Sequence, residues 1–111
     1  MHVMIDLCVI PLGVGVSVSN EIAICQRVIA ATGLKFQMHP YGTVIEGEWD
    51  AVMNCVKDCH RTLHEAGVPR ISTTLKLGTR TDKIQHMEDK MSSVHHKLTP
   101  RSAKILWWSL R

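Results

Sequence analysis

The chain contains no apolar run approaching the roughly 20 residues that a membrane-spanning helix requires, so no transmembrane segment is expected. No basic segment precedes an apolar one at the N-terminus. That leaves no visible secretory signal and makes a cytoplasmic location the expectation. Aromatic residues are few, and most of the chain lacks any charge imbalance. Residues 1–98 carry equal numbers of basic and acidic side chains, and the formal net charge of +3 comes from Arg101, Lys104 and Arg111 in an acid-free tail. A neutral body has no basic face with which to neutralise phosphates, which argues against nucleic-acid binding. Nucleophile motifs, a Walker loop and a Rossmann glycine pattern are also missing. Gly13-Val14-Gly15 is too short and lacks the helix-opening glycine. An enzyme is not expected.

With 111 residues the chain suits one domain with a two-layer core. Four cysteines could form two disulfides. However, Cys8 lies in an apolar strand-like run, and Cys25, Cys55 and Cys59 fall on apolar helical stripes. Free cysteine behaves as a small buried hydrophobe, and a chain without a signal stays reduced, so buried thiols are the expectation.

Apolar periodicity orders the elements. Val3–Ile10 reads as a central strand broken by Pro11, Gly13 and Gly15. Ser17 or Ser19 is expected to cap a helix with the stripe Ile22, Cys25, Val28 and Ile29, which Gly33 ends. Lys35–His39 alternates as a half-buried strand, and Pro40-Tyr41-Gly42 turns it back into Thr43–Glu46. A second helix runs from about Trp49 to Ala66 on the stripe Val52, Cys55, Val56, Cys59 and Leu63, and Trp49 is expected to anchor the core or its rim. Arg70–Leu77 is the fourth strand, and a third helix is expected from about Asp82 to Leu98. The order βαββαβ predicts an α+β, ferredoxin-like sandwich, with a four-stranded antiparallel sheet in the order 4-1-3-2 and two helices on one face. The first strand is apolar on both faces, so its second face is expected to meet another copy of the sheet. Asp6 on that face then needs a partner, for which Lys76 is a candidate by parity. The third helix, striped by Ile84, Met87, Met91, Val94 and Leu98, is likewise expected at a subunit boundary. A homodimer or homotetramer follows.

Two short segments turn at glycine and deliver polar groups: Tyr41–Gly47 and Leu77–Lys83. Together with Pro11-Leu12-Gly13, the Ser17-Val18-Ser19 cap, Gly42–Asp50 and Gly78-Thr79-Arg80-Thr81-Asp82-Lys83, they give the chain a pattern that resembles the small thiamine-binding, YkoF-like family over about residues 2–98. The resemblance implies a ferredoxin-like fold, assembly through sheet packing, and non-enzymatic binding of thiamine or its hydroxymethylpyrimidine part, as carrier, buffer or sensor. Thr99–Arg111 extends beyond the family pattern. This basic, tryptophan-containing tail is expected to be disordered or docked on an interface.

A thiamine site needs an acceptor for the amino group, hydroxyl donors and a flat wall. Ser17, Ser19, His39, Tyr41, Thr43 and Glu46 are the candidates, resting on fold geometry and the resemblance. Each also has an ordinary role: helix caps for the serines, a β-branched strand residue for Thr43, a solvated strand end for Glu46, and surface positions for His39 and Tyr41. Arg80 and Lys83, with Asp6, are candidates for an anion or intersubunit ion-pair site, and Asp82 is expected to cap the third helix. His60 and His64 have chelating i, i+4 spacing but no acid or thiol aimed at them, so no metal and no resident cofactor are expected. The alternative to a binding protein is a structural or regulatory interaction module without a small-molecule ligand.

Overall fold

A computed structural model describes residues 1–83 and 85–98 of the chain. Ile84 and the tail Thr99–Arg111 lie outside the described residues. Met1–Thr79 forms one compact unit, and the described residues between Arg80 and Leu98 belong to a second.

The first unit runs β1 (His2–Leu12), α1 (Ser19–Ala31), β2 (Lys35–His39), β3 (Gly42–Glu48), α2 (Trp49–Glu65) and β4 (Arg70–Thr79). All pairings are antiparallel and the strand order is β2-β3-β1-β4, the expected topology written from the other edge. Val3, Ile5 and Leu7 of β1 and Ile45 of β3 point to the face where they meet Cys25 and Ile29 of α1 and Val52, Cys55, Cys59 and Leu63 of α2. Full burial of each such aliphatic side chain stabilises the fold by about 1.5–3 kcal/mol. Trp49 opens α2 and packs against this core, half-buried.

Three local expectations need correction. β1 does not stop at Pro11 but continues to Leu12. Past Leu7 only β4 pairs with it, so this half of β1 is an edge, where a missing N–H is tolerated. Neither serine caps α1. Val18 is the N-cap, no side chain bonds the first-turn N–H groups, and the Ser17 and Ser19 hydroxyls meet each other at 3.3 Å. In the second unit the helix α3 spans Met87–Lys97, starting five residues later than expected. Its start is held by Asp89, whose carboxylate accepts the His86 backbone N–H at 2.9 Å. Asp82 instead grips Arg80.

Candidate functional site

The shortness of β3 leaves an opening in the first unit. β1 and β3 part after the Leu7–Thr43 pair, while β1 runs on to Leu12. A groove of about 570 Å³ fills the gap between the free half of β1, the N-terminal half of α1 and the β2–β3 hairpin. Its walls are chiefly apolar. Ile22 of α1 is 41% exposed and Met38 of β2 58% exposed, although both are large apolar side chains lining it. Tyr41, at the hairpin tip, is 85% exposed at the rim. Apolar area left open around a concavity marks a ligand site more often than isolated exposed residues do.

Polar groups are few and placed. Thr43 is buried at 4% exposure, and its Oγ1 accepts from Gln26 Nε2 at 2.8 Å across the strand–helix interface. The Thr43 hydroxyl proton and the Gln26 carbonyl oxygen are left without a partner among the described residues. His39 is oriented from two sides. Its Nδ1 accepts the Tyr41 backbone N–H at 3.3 Å, so Nε2 carries the hydrogen that is donated to Asp6 Oδ1 at 2.6 Å. That contact ties the hairpin to β1. Asp6 thus finds its partner in His39, not in Lys76, which sits opposite it on β4.

The structure brings His39, Tyr41 and Thr43 together in the groove wall, and sets the other candidates apart from it. Ser17 and Ser19 are exposed in the segment that leads into α1 and do not line it. Glu46 is three residues from Thr43 on the same strand, so it faces the opposite side of the sheet. There it is buried at 3% exposure, 3.2 Å from His2 Nε2 and 3.8 Å from Lys35 Nζ. Arg80 bonds both Asp82 carboxylate oxygens, at 2.6 and 2.5 Å, and Gln85 at 2.6 Å. Held this way, the guanidinium lowers the Asp82 pKa to about 2. Lys83 is exposed. His60 and His64 are engaged separately, by Thr73 Oγ1 at 2.6 Å and the Val68 carbonyl at 2.8 Å.

Two polar lining residues went unrecognised in the sequence, Glu21 and Gln26 of α1. Gln26 had a signal: it follows Ile22 by four and precedes Ile29 by three, so it is a polar residue on the apolar stripe. Behind the groove wall Cys25, Cys55 and Cys59 are free thiols. Cys59 contacts both other sulfurs, which with its burial pushes its own pKa up. The same contact lowers those of Cys25 and Cys55 against the desolvation that opposes it.

The family of thiamine-binding proteins is matched over residues 5–95. The chain belongs to that family. A UPF0045 protein of Synechocystis sp. is 55% identical over 94 residues, 85% of this chain and 78% of that one. A UPF0045 protein of Eremothecium gossypii is 43% identical over 100 residues, covering 89% and 95%. Among solved structures, a Methanocaldococcus jannaschii protein superposes with a TM-score of 0.78 at 32% identity, over 84% of this chain and 95% of that one. A Thermotoga maritima protein assigned provisionally to thiamine biosynthesis or salvage gives 0.73 at 24% identity, over 85% and 99%, a likeness of fold alone. Among the described residues, no helix of this family member is long and apolar enough to cross a membrane.

Proposed function

We propose that the protein binds thiamine, or the hydroxymethylpyrimidine part of it, in the groove between β1, α1 and the β2–β3 hairpin, and releases it unchanged as a carrier, buffer or sensor. The observation that carries this reading is the Gln26–Thr43 pair in an otherwise apolar groove. An aminopyrimidine edge presents an amino donor beside a ring-nitrogen acceptor. The Gln26 carbonyl and the Thr43 hydroxyl offer the complementary acceptor and donor, and apolar walls suit the flat ring. His39 and Tyr41 shape the mouth from the hairpin. Membership of the thiamine-binding family supports the ligand class.

The same reading includes self-association. Met4, Cys8 and Val44 lie half-buried on the sheet face away from the helices, and a second copy is the simplest cover for them.

Calorimetry with thiamine and hydroxymethylpyrimidine tests the site. Saturable binding by the parent, weakened at least about tenfold in Thr43→Val and in Gln26→Leu, is the expected result, since each leaves a ligand polar group unpaired. Equal binding by both variants would move the site elsewhere. Absence of heat and of a thermal shift with every ligand would favour the interaction-module reading.

A further inference from the structure

Three of the four thiols stand together where α1 meets α2, and the binding of a small ligand uses none of them. Cys55 and Cys59 lie one turn apart on α2, and Cys25 approaches from α1; all three are free and each is 6% exposed or less. Cys59 is the centre of the group. Its Sγ lies 4.0 Å from the Cys25 carbonyl oxygen, and it contacts the sulfurs of both Cys25 and Cys55. Of the three, Cys25 is the one that lines the groove, so a small solute entering there meets Cys25 first.

Helix geometry decides which pair can close. Residues i and i+4 hold their Cβ atoms about 5–6 Å apart along one helix face, whereas a disulfide needs about 3.5–4.5 Å. A Cys55–Cys59 bond would therefore have to distort α2. Cys25 and Cys59 stand on different helices, whose side chains can approach without bending either backbone. Reactivity points the same way. The hydrogen bond from Cys59 holds the Cys25 thiol below its ordinary value, against the burial that opposes it. The contacts with Cys25 and Cys55, together with burial, push Cys59 up. Thiolate is the form that attacks. Cys25 is thus both the more acidic thiol of this pair and the one that the groove reaches.

We propose that Cys25 is an oxidation site and Cys59 its resolving thiol, so that a hydroperoxide entering the groove closes a Cys25–Cys59 disulfide between α1 and α2. The Cys25 thiolate attacks one peroxide oxygen and the O–O bond breaks, leaving a sulfenic acid on Cys25 and, once protonated, water. The Cys59 sulfur then attacks the sulfenic sulfur. The S–O bond breaks as the S–S bond forms, and the departing hydroxide leaves as water with the Cys59 proton. Two thiols are oxidised, and one hydrogen peroxide is reduced to two waters. The new bond pins the groove-lining helix α1 to the core helix α2, and a thiol reductant releases it.

The test is mass spectrometry of the whole chain exposed to hydrogen peroxide and then alkylated in denaturant, with circular dichroism to verify that the protein stays folded during oxidation. The parent is expected to lose a pair of hydrogens, to regain them with dithiothreitol, and to yield a cross-linked Cys25–Cys59 peptide. Cys59→Ala should cut cross-linking at Cys25 at least about tenfold, whereas Cys55→Ala should still form the Cys25–Cys59 bond. Should Cys59→Ala fail to fold, peptide mapping of the parent alone decides the pairing. A Cys55–Cys59 bond, or a linkage through Cys8, in place of Cys25–Cys59 overturns the proposal. So does a folded parent in which Cys8 is oxidised while the three core thiols all remain free.

Discussion

Replacing Gly42 with alanine should injure the fold and the groove through one contact. Gly42 begins β3 and pairs with His39 across the hairpin. A Cβ at this position would lie 2.5 Å from the Leu7 carbonyl oxygen, 3.2 Å from the Leu7 carbonyl carbon and 3.3 Å from Asp6 Oδ1. Carbon–oxygen contacts between strands run at about 3.3–3.6 Å, so the first of these is short by roughly 0.8 Å. The obstructing atom is backbone, in the middle of a paired strand, and cannot rotate away as a side-chain end would. β3 must therefore lift from β1 just where their pairing ends. The expected cost is about 1–3 kcal/mol, the usual range for overpacking. For a domain of this size that is a fall in melting temperature of roughly 4–8 °C per kcal/mol. Because the same shift carries His39, Tyr41 and Thr43 with the hairpin, thiamine affinity should drop even at temperatures where the variant is fully folded. Urea titration with an unchanged m-value would place the loss in the native state. If Gly42→Ala matches the parent in midpoint and in binding, the close approach of β3 to Leu7 is not as described, and the geometry of the groove mouth falls with it.

Three further outcomes follow from the same structure. Asp6→Ala removes the 2.6 Å link to His39; both side chains are about a third to a half exposed, so stability should fall by less than about 1 kcal/mol while thiamine binds a few-fold more weakly. In the folded protein Cys8 should react with Ellman's reagent well before Cys25, Cys55 and Cys59, and all four should react in denaturant, since Cys8 is half-buried and the others are buried in the core. Carboxyl NMR should place the Asp82 midpoint at about 2, depressed by Arg80, and Arg80→Ala should return it towards 3.8. A depressed carboxylate contributes its stabilisation fully above the unfolded value and loses it as pH falls through about 2, so the Arg80–Asp82 contact should survive ordinary mild acid.

Alternation and helical stripes made the sheet order and both packed helices readable, because burial of one face imposes a period on the sequence. β2 begins and ends where the pattern of Lys35–His39 predicts, and α2 buries Val52, Cys55, Cys59 and Leu63 as its stripe predicts. Helix starts were less legible. Serine before α1 is a good cap by type, yet the Ser17 and Ser19 hydroxyls face each other, a choice of rotamer that residue type does not encode. The site was legible in part. The hairpin residues could be placed because the turn places them. Glu21 and Gln26 contribute from α1 only because β3 begins no earlier than Gly42 and leaves the far half of β1 unpaired on that side, and that depends on where two distant segments stop pairing.

Glu46 shows what parity alone decides. Thr43 and Glu46 are an odd number of residues apart on one strand, so one faces the helices and the other faces away, whatever their chemistry. Thr43 bonds Gln26 on the helix side, and Glu46 lies against His2 and Lys35 on the other. The two should therefore fail differently when changed. Glu46→Ala deletes a buried acceptor and leaves His2 and Lys35 without the carboxylate they approach. Those partners are half-exposed and can turn to water, so the loss should be about 1–2 kcal/mol of stability. Thiamine stoichiometry and affinity should hold at temperatures where the variant is folded. Thr43→Val keeps the β-branched shape in the core and removes only the hydroxyl, so it should weaken binding with a smaller change in melting temperature. If instead Glu46→Ala abolishes binding in the folded protein, the ligand sits on the sheet face away from α1 and α2, and the groove beside α1 serves another purpose.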